Sequence, residues 1–362
     1  MRENYVNSKF WSGKNVLITG HTGFKGSWLS LWLQNLGANV TGLALAPPTK
    51  PSLFEIANVA EGMQSNIGDI RDQNVVDEVF NRCNPEVVIH MAAQPLVLYS
   101  YENPVETYAT NVMGTVHILE ACRRLNSVKS VVMITTDKCY ENKEWVWGYR
   151  ENEPMGGYDP YSNSKGCSEL VISAYQKSFF HKDANKAGVA SARAGNVIGG
   201  GDWAADRLIP DFMQAILDGQ PVVIRSPSSI RPWQHVLEPL RGYLQLAESL
   251  WYDKAKFSEG WNFGPSDSDA KEVQWIIERI SDLWGEGAHW QIDKSPRPHE
   301  AAYLKLDCSK ANMKLGWEPR LDLSTTLQWI VEWYKQYLGN SDMREVTMKE
   351  ISRYENLIKE FE

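Results

Sequence analysis

Short apolar stretches alternate with stretches of helical periodicity along the first half of the chain, and this alternation constrains the fold more than any other feature of the sequence. Strands are predicted at residues 16–19, 40–45, 64–69, 87–91, 131–134 and 189–194, most of them short apolar runs. The segments between them predict helices at residues 28–36, 74–83, 105–125 and 161–180. Strands that alternate with helices of this length form βαβ units with a parallel sheet and right-handed crossovers. We therefore expect an α/β protein with a doubly wound parallel sheet.

The rhythm changes after the glycine run at residues 199–201. Elements become shorter and irregular, and they are interrupted by Pro210, Pro221, Pro227, Pro232 and Pro239. We expect residues 1–198, with return segments near 229–265, to form the larger domain. Residues 199–362 are expected to form mainly a smaller, mixed C-terminal domain that closes over the carboxyl edge of the sheet and binds the substrate. Near the end of the chain, amphipathic helices are predicted at residues 323–337 and 347–361.

A glycine-rich loop follows the first predicted strand. Gly20, Gly23 and Gly26 have the spacing G-x-x-G-x-x-G between a strand and a helix. Glycines there permit a tight turn and a close approach of the backbone to a pyrophosphate, which then lies at the positive end of the helix. The triplet alone is weak evidence, and its place after the first strand of an alternating chain is what predicts a dinucleotide-binding Rossmann domain. The expected cofactor contacts in this loop are Gly20, Thr22, Gly23, Phe24, Lys25 and Gly26.

The second strand ends without the acidic residue that commonly binds the adenosine ribose. Residues 44–46 contain neither Asp nor Glu, and they contain no Arg that would accommodate a 2′-phosphate, which mildly favours NAD over NADP. Asp69 and Ile70, which leave the third predicted strand, are the expected adenine contacts. The alternative for Asp69 is that it caps the next helix, and the residue types leave both possibilities open.

The reactive residues follow the fifth predicted strand. Thr136, Asp137 and Lys138 place a hydroxyl, a carboxylate and an amine at the edge where open α/β sheets carry out chemistry. Tyr161 and Lys165 stand four residues apart and share one face of a helix. A phenol with a pKa of ~10 is a poor base at neutral pH, but a neighbouring ammonium and an oxidised nicotinamide ring favour the phenolate and lower that pKa. Tyr161 then takes a proton from a sugar or alcohol hydroxyl while the carbon gives hydride to the cofactor.

These features together resemble the extended short-chain dehydrogenase/reductase family over nearly the whole chain. Its marks are the glycine loop, the string Ala92-Ala93-Gln94, Asn111, Thr136, Tyr161 and Lys165. The resemblance implies that Ala92, Ala93 and Gln94 contact NAD and that Lys165 holds the nicotinamide ribose. The Asp that directly follows Thr136 resembles the nucleotide-sugar 4,6-dehydratases rather than the 4-epimerases. The strings at residues 20–28, 136–138, 195–203 and 231–236 are similar to the branch of those dehydratases that acts on CDP-glucose.

The resemblance implies an internal redox cycle on the sugar. Tyr161 deprotonates the glucose 4-hydroxyl, and C4 passes hydride to NAD⁺. The resulting 4-ketone acidifies the C5 proton, a base removes that proton, and Asp137 protonates the departing 6-hydroxyl as a general acid. The hydride then returns to C6 and a proton is delivered to C5. The net reaction is loss of water, with NAD regenerated in every turnover.

Lys138 departs from the family pattern, because most 4,6-dehydratases that act on dTDP-glucose carry Glu there as the C5 base. A lysine has a reference pKa of ~10.4 and acts as a base only when it is neutral. Burial beside Lys165 and NAD⁺ favours the neutral form. The alternative is that Lys138 orders the site and another group takes the C5 proton, for which Glu169 is a weak candidate.

Cationic residues beyond the sheet are the expected contacts of the substrate pyrophosphate, since the arginine fork suits phosphate oxygens. A solvated surface position is the default for any single arginine, and the resemblance favours Arg207 and Arg231 over Arg297. The nucleotide base pocket does not follow from the residue types, so the preference for CDP depends on the resemblance. The expected substrate contacts are Thr136, Asn196, Arg207, Arg231 and Arg297.

Composition argues against several other classes of function. The chain has 37 Lys and Arg against 45 Asp and Glu, a net charge of −8, which disfavours nucleic acid and anionic membranes as partners. The apolar runs are shorter than the ~18 residues of a membrane span, and the polar N-terminal stretch has no signal-peptide core. Five dispersed cysteines and seven unclustered histidines predict a reducing cytoplasmic location and no metal site.

The family resemblance further implies a homo-oligomer, either a dimer or a tetramer. The helices at 105–125 and 161–180 would pair across a two-fold axis as a four-helix bundle. Val116, Leu119 and Val171 fit that interface and equally fit packing on the sheet.

Two other functions compete with the dehydratase. A nucleotide-sugar 4-epimerase has the same fold and the same Tyr161 and Lys165, but the Asp137-Lys138 pair argues against it. A non-enzymatic NAD-binding sensor is the third hypothesis, and the retention of both Tyr161 and Lys165 argues against that one.

Overall fold

The structure is a computed structural model that describes residues 6–183, 185–224, 227–285, 289–292 and 303–360. The predicted substrate contact Arg297 lies outside the described residues.

The strands are β1 Asn15–Thr19, β2 Asn39–Ala44, β3 Gln64–Ile67, β4 Val87–His90, β5 Ser130–Ile134, β6 Gly188–Ala194, β7 Val197–Ile198, β8 Val222–Ile224, β9 Ile230–Pro232, β10 Gln234–His235, β11 Gly260–Phe263, β12 Ala270–Glu272 and β13 Trp290–Ile292. The α-helices are α1 Ser8–Trp11, α2 Phe24–Asn35, α3 Leu53–Ile56, α4 Gln73–Cys83, α5 Val97–Glu102, α6 Pro104–Tyr108, α7 Gly114–Arg124, α8 Pro160–Tyr175, α9 Leu208–Leu217, α10 Leu237–Tyr252, α11 Lys254–Phe257, α12 Val273–Trp284, α13 Ser309–Leu315, α14 Leu323–Leu338 and α15 Met343–Glu360.

A parallel sheet of seven strands organises the molecule, with the order β11-β6-β5-β4-β1-β2-β3. Apolar side chains of the strands enter one core on the α2 and α10 face and a second core on the α4, α7 and α8 face. Burial on both faces explains why these strands are continuous apolar runs rather than alternating ones. The order runs outward from β1 in both directions, so the predicted doubly wound sheet is confirmed. The carboxyl ends of β1 and β4 therefore border the crevice where such sheets bind ligands.

The second half of the chain returns to this sheet. β11 pairs with β6, α10 packs on β5 and β6, and α15 packs against α2. Two indoles on α2 connect to distant segments: Trp28 Nε1 donates to the Gly200 carbonyl over 2.9 Å, and Trp32 Nε1 donates to Glu355 Oε1 over 2.7 Å. The last helices therefore share a core with the glycine-loop helix. A domain division near residue 199 stays a prediction.

Both long predicted helices contain a π-helical segment that the apolar periodicity did not reveal. The first is made of α6, a π segment at Ala109–Met113 and α7, and the second is α8 followed by a π segment at Gln176–Phe180. In the first segment Asn111 is buried, and its Oδ1 accepts from the Gln94 N–H over 2.9 Å. Its Nδ2 donates to the Gln94 carbonyl over 3.1 Å and to Ser164 Oγ over 2.9 Å. The π segment thus fastens the loop after β4 to α8.

The apolar residues expected at a subunit interface are placed differently. Leu119 is fully buried in the core on the α7 face of the sheet, and Val171 packs against the same core. Leu119 and Val171 therefore pack on the sheet, whereas an interface position for the half-buried Val116 stays a prediction. The most exposed large apolar side chains on these helices are Val105, at 82% exposure, and Leu170, at 61%, and Met113 and Phe179 are exposed to a smaller extent.

The described ranges contain neither a candidate metal site nor a candidate membrane span. Among those residues, no group of three or more His, Cys, Asp or Glu is arranged to hold a metal ion. None of the helices in them is both long enough and apolar enough to cross a membrane. The five cysteine thiols are free.

Candidate active site

Tyr161 and Lys165 lie on α8, which begins at a well-defined N-terminus. Asp159 is the N-cap, and its carboxylate accepts from the Ser162 N–H over 2.9 Å and from the Ser162 hydroxyl over 2.6 Å. Pro160 occupies the first helical position, where a missing N–H costs nothing. The Tyr161 N–H donates to Ser100 Oγ over 3.1 Å. Tyr161 is therefore held on the first turn.

The chain leaving β5 brings the other predicted catalytic residues to this turn. Thr136 starts a short 3₁₀ turn at Asp137–Cys139, and its hydroxyl donates to Asp137 Oδ1 over 3.0 Å. The Asp137 carboxylate lies against Gly195, where a Cβ would stand 2.9 Å from Oδ2. Lys165 Nζ donates to the Ile134 carbonyl over 3.0 Å. The structure therefore gathers Thr136, Asp137, Lys138, Tyr161 and Lys165 where β5 ends.

Burial prepares Asp137 to act as an acid. Its side chain is almost fully buried, and this burial raises its pKa, although Lys138, Thr136 and Arg231 each act in the opposite direction. A carboxyl group with a raised pKa holds its proton closer to neutral pH. That is the state a general acid must start from.

The phenol and the ammonium on α8 respond to burial in opposite directions. Burial raises the pKa of Tyr161 to about 12, against the lowering effect of the Thr136 hydroxyl. Burial lowers the pKa of Lys165 to about 8, against the raising effect of Glu169. The sequence predicted a lowered phenol pKa through the ammonium and the nicotinamide ring together. In the protein by itself the direction is reversed, because the loss of solvation outweighs the neighbouring groups.

The loop between β1 and α2 has the shape of a phosphate site. Gly20 has a φ of +79°. The N-cap of α2 is Gly23, which has no side chain to cap the helix, so the first-turn N–H groups remain available to an anion. A Cβ on Gly26 would stand 2.1 Å from the Gly20 carbonyl oxygen, and a Cβ on Gly20 would stand 2.8 Å from the Ala92 nitrogen. Only glycines permit this close approach, and the residues present fit a dinucleotide pyrophosphate.

A Gly26→Ala change is expected to abolish measurable NAD binding and to lower the melting temperature. The added Cβ meets backbone atoms that cannot move aside without opening the turn. Isothermal titration with NAD and a thermal melt measure the two effects. Gly339→Ala is the control for an added methyl group, because Gly339 has a φ of −74° and its Cβ would meet the nearest carbonyl oxygens only at 3.5 Å, an ordinary contact. NAD binding by the Gly26 variant at wild-type affinity would contradict the assignment of this loop.

The remaining predicted cofactor residues differ in how their side chains are engaged. Thr22 Oγ1 donates to the Leu45 carbonyl over 2.8 Å, which joins the loop to the end of β2. The Gln94 amide donates to the Leu96 carbonyl in its own loop and to Thr107 Oγ1 on α6. The buried side chain of Ile70 packs against Gly114.

Asp69 does not cap the following helix. Its carboxylate accepts from the backbone N–H and the Nε of Arg71, each over 2.8 Å. The N-cap of α4 is Asp72. The capping alternative is therefore wrong, and an adenine contact by Asp69 stays a prediction.

Two buried histidines lie at this site, His21 within the glycine loop and His90 at the end of β4, and the sequence did not predict a role for either. His21 lies against Gly42 and contacts Ser65 Oγ over 2.7 Å, and burial lowers its pKa to about 4. His90 contacts Thr19 Oγ1 over 2.7 Å, and burial lowers its pKa to about 3, with Lys165 acting in the same direction. Both rings are neutral in the folded protein near pH 7.

These histidines are expected to destabilise the protein in acid. Between the folded pKa and the unfolded value of ~6.5, the unfolded chain binds more protons than the folded protein, so stability is lost as the pH falls through this range. Each histidine contributes a slope of up to about 1.4 kcal/mol per pH unit. Urea unfolding of the wild type and of His21→Asn between neutral pH and the lowered pKa measures this slope.

The His21→Asn variant should show a shallower loss of stability in acid than the wild type. An exposed histidine, His181, provides the control, since His181→Asn should leave the slope unchanged. Equal acid slopes for all three proteins would show that His21 does not titrate in this way.

The predicted substrate residues lie around the same edge of the sheet. Arg207 occupies the N-cap position of α9 and forms an ion pair with the buried Asp202 over 3.0 Å. Arg231 lies on β9, close enough to Asp137 to lower the pKa of its carboxyl group. Asn196 joins β6 to β7, and its carbonyl accepts from the Gln234 N–H over 3.1 Å.

Lys25 and Asp202 add to the charges of this site. Burial lowers the pKa of Lys25 to about 8, and the cations Lys165 and Arg207 act in the same direction while Asp202 opposes them. Lys25 was predicted as a cofactor contact, whereas Asp202 was not identified as a site residue. The glycine run before Asp202 was the signal in the sequence that could have pointed to this residue. In the structure Gly201 has a φ of +81° and turns the chain at that position.

The geometry speaks against Glu169 as the C5 base. Its carboxylate accepts from Arg193 Nε and Nη2, each over 2.8 Å, and from Ser191 Oγ over 2.7 Å. It also accepts from the Thr135 hydroxyl. The pKa of Glu169 is lowered by Arg193 and these hydroxyls in spite of burial.

A doubly wound parallel sheet with a glycine loop after β1 and a Thr–Tyr–Lys site at the end of β5 defines the extended short-chain dehydrogenase/reductase class. The profile of the GDP-mannose 4,6 dehydratase family matches residues 17–330. The chain belongs to this family.

Particular relatives agree with that placement. The chain is 60% identical over 352 residues to the CDP-glucose 4,6-dehydratase of Salmonella typhimurium, covering 96% of this chain and 98% of the relative. It is 26% identical over 345 residues to the dTDP-glucose 4,6-dehydratase of Haemophilus influenzae, covering 88% and 97%. Among solved structures, the UDP-glucose 4-epimerase of Thermus thermophilus in complex with NAD superposes with a TM-score of 0.76 at 26% identity, covering 88% of this chain and 98% of that one.

Proposed function

We propose that this protein is an NAD-dependent hydro-lyase that converts CDP-D-glucose to CDP-4-keto-6-deoxy-D-glucose. The observation that carries the proposal is the buried Asp137, with a raised pKa, beside Thr136 and facing the site of Tyr161 and Lys165. The similarity to the Salmonella CDP-glucose 4,6-dehydratase supports the choice of CDP-glucose among nucleotide sugars.

Residues of α8 carry out the first step, the oxidation at C4. Tyr161 takes the proton of the 4-hydroxyl, and the Thr136 hydroxyl bonds the same oxygen. Bound NAD supplies the chemistry that accepts hydride from C4 and later returns hydride to C6. Lys165 holds the nicotinamide ribose. The cation of an oxidised nicotinamide ring offsets the effect of burial on Tyr161, whose pKa of about 12 is too high for a base at neutral pH.

Residues of the turn after β5 carry out the elimination of water. Asp137 gives its proton to the departing 6-hydroxyl, which leaves as water. We assign removal of the C5 proton to Lys138, because Glu169, the other candidate considered, is fully engaged by Arg193, Thr135 and Ser191. Lys138 is adjacent to Asp137, and its charge lowers the pKa of the Asp137 carboxyl group. In the neutral form that the base role requires, Lys138 no longer has this effect, and Asp137 keeps its proton more readily.

The substrate and the cofactor occupy different parts of the same edge. The glycine loop, with Ala92, Ala93 and Gln94 opposite it, holds the cofactor, and Asp69 and Ile70 face the adenine. Asn196, Arg207 and Arg231 lie beyond the sheet and bind the nucleoside diphosphate, together with Arg297. Arginine forks are suited to this because a pyrophosphate offers paired oxygens.

One experiment separates this function from the alternatives. Purified protein is incubated in heavy water with NAD⁺ and CDP-, dTDP-, UDP- and GDP-glucose, and the products are analysed by mass spectrometry. Loss of one water from CDP-glucose, with one solvent deuterium at C5, is the expected result. Water loss from a different nucleotide sugar would keep the reaction and overturn CDP. A change of sugar stereochemistry at constant mass would indicate an epimerase, and no change with any sugar would favour an NAD-binding sensor.

We further propose that the enzyme is a cytoplasmic homodimer or homotetramer. The exposed apolar side chains of Val105 on α6 and Leu170 on α8 support a subunit interface on these helices. Light scattering after size exclusion should give a multiple of the chain mass for the wild type and a lower mass for Val105→Glu combined with Leu170→Glu. Val146→Glu, at another exposed apolar position, is the control. A monomeric wild type would contradict the proposal.

A further inference from the structure

A buried ion pair lies behind the reactive residues and has no part in the proposed chemistry. Arg193 on β6 and Glu169 on α8 make two parallel contacts of 2.8 Å, and each side chain is 5% exposed. Replacing such a pair by well-packed apolar residues is often neutral or stabilising, so the pair is weak evidence for a role in stability alone. The groups that the pair bonds therefore indicate what role it has.

The pair is bonded to both ends of the turn that carries the acid. We call residues 136–139 the reactive turn. On the side before the turn, the Thr135 hydroxyl donates to Glu169. On the side after it, the Tyr140 hydroxyl accepts from Arg193 Nη1 over 2.6 Å and donates to Asn262 Oδ1 over 2.7 Å. One ion pair thus brackets the reactive turn.

The same pair sets the register of α8 against the end of β5. Lys165 Nζ donates to the carbonyl of Ile134, and Glu169, one helical turn further along, accepts from the hydroxyl of Thr135. Successive turns of the helix are therefore bonded to successive residues at the strand end. This double attachment fixes where Tyr161, on the first turn of α8, lies relative to the reactive turn.

We propose that Glu169 and Arg193 are positioning residues for the elimination step: through Thr135 and Tyr140 they hold the reactive turn so that Asp137 and Lys138 meet C6 and C5 of the sugar. The inference rests on the proposed dehydratase function. Neither residue acts on the sugar itself, and each works only through the two hydroxyls.

The test removes one hydroxyl at each end of the turn and leaves the ion pair intact. Thr135→Val and Tyr140→Phe each delete a single hydroxyl with little change of shape. Glu169→Gln is unsuitable by itself, because it leaves Arg193 as an unpaired buried charge and destabilises the fold. Tyr149→Phe is the matched control. Tyr149 is as buried as Tyr140 and stacks on it at 5.2 Å, but its hydroxyl bonds Asn142 and the Lys143 N–H instead of the pair.

Water loss and C4 oxidation are measured separately for each variant. Thr135→Val and Tyr140→Phe are expected to lower kcat for water loss by about 10–100-fold, the cost of a small misplacement of catalytic groups. Oxidation at C4, followed in a single turnover by the absorbance of reduced nicotinamide, should fall much less, because the bond from Lys165 Nζ to the Ile134 carbonyl still holds α8 and Tyr161 in place. The reduced form should therefore accumulate. KM should stay close to that of the wild type, and Tyr149→Phe should behave as the wild type does.

Amide hydrogen exchange supplies a readout that does not depend on turnover. Faster exchange in the reactive turn of Thr135→Val and Tyr140→Phe, but not of Tyr149→Phe, is expected. Equal loss of both partial reactions, or exchange and kinetics indistinguishable from those of Tyr149→Phe, would overturn the inference. If the wild type removes no water from any nucleotide sugar, the proposed function fails and the role in elimination fails with it, while exchange in the reactive turn still decides whether the ion pair holds that turn.

Discussion

Replacing Asp137 by Asn is expected to lower kcat for water loss from CDP-glucose by about 10²–10⁴-fold, the usual contribution of a general acid. Asn has nearly the same shape and retains an oxygen to accept from the Thr136 hydroxyl, which donates to Asp137 Oδ1 over 3.0 Å. It has no proton to give to the departing 6-hydroxyl. Oxidation at C4 does not use this carboxyl group, so it should continue. Single-turnover experiments with the bound cofactor should therefore show reduced nicotinamide forming while the sugar loses two hydrogens but no water.

Asp269→Asn controls for the loss of a buried carboxyl group as such. Asp269 is 8% exposed, burial raises the pKa of its carboxyl group as it does for Asp137, and its oxygen accepts from the Leu323 N–H. This variant should keep wild-type kcat. Water loss at the wild-type rate in Asp137→Asn would contradict the dehydratase mechanism.

Replacing Tyr161 by Phe is expected to remove both partial reactions, again with a loss of about 10²–10⁴-fold in kcat. The phenol oxygen is the group that takes the 4-hydroxyl proton, and elimination cannot precede formation of the 4-ketone. Neither reduced nicotinamide nor dehydrated product should therefore appear. The difference from Asp137→Asn is qualitative, because that variant retains the first step.

A second tyrosine on the same helix supplies the control. Tyr175 lies at the far end of α8, beside Glu120, which it contacts through its hydroxyl. Tyr175→Phe should leave both partial reactions unchanged. Binding of NAD and CDP-glucose by Tyr161→Phe, measured by titration calorimetry, shows whether its site is intact. An intact site that still oxidises C4 at the wild-type rate would remove Tyr161 from the mechanism.

The parallel sheet was predictable because its strands are buried on both faces. Such strands are unbroken apolar runs, and β1, β4, β5 and β6 were found within one or two residues of their observed bounds. The third strand was predicted too long, and it ends at Ile67 because the chain turns at Asp69. Polar residues where a strand ends then indicated the reactive turn, since open α/β sheets place their chemistry at this edge.

Other features of the site leave no local pattern in the sequence from which they could be predicted. His21 lies over Gly42 because the strands β1 and β2 are neighbours, and the close contact is visible only in three dimensions. Residues 109–113 form a π segment because Asn111 turns inward to bond Gln94 and Ser164. The direction of the Tyr161 pKa shift also depended on burial, which the sequence does not contain.

The sequence by itself determined the doubly wound sheet, the glycine loop and the presence of Thr136, Asp137, Tyr161 and Lys165 at one edge. It did so because strand period, strand ends and helix spacing are local properties of the chain. Only the tertiary structure decided that Glu169 is the partner of Arg193 rather than a base. An ion pair of this kind joins residues 24 positions apart, on a helix and on a strand, and it forms because neither charge can be buried without the other.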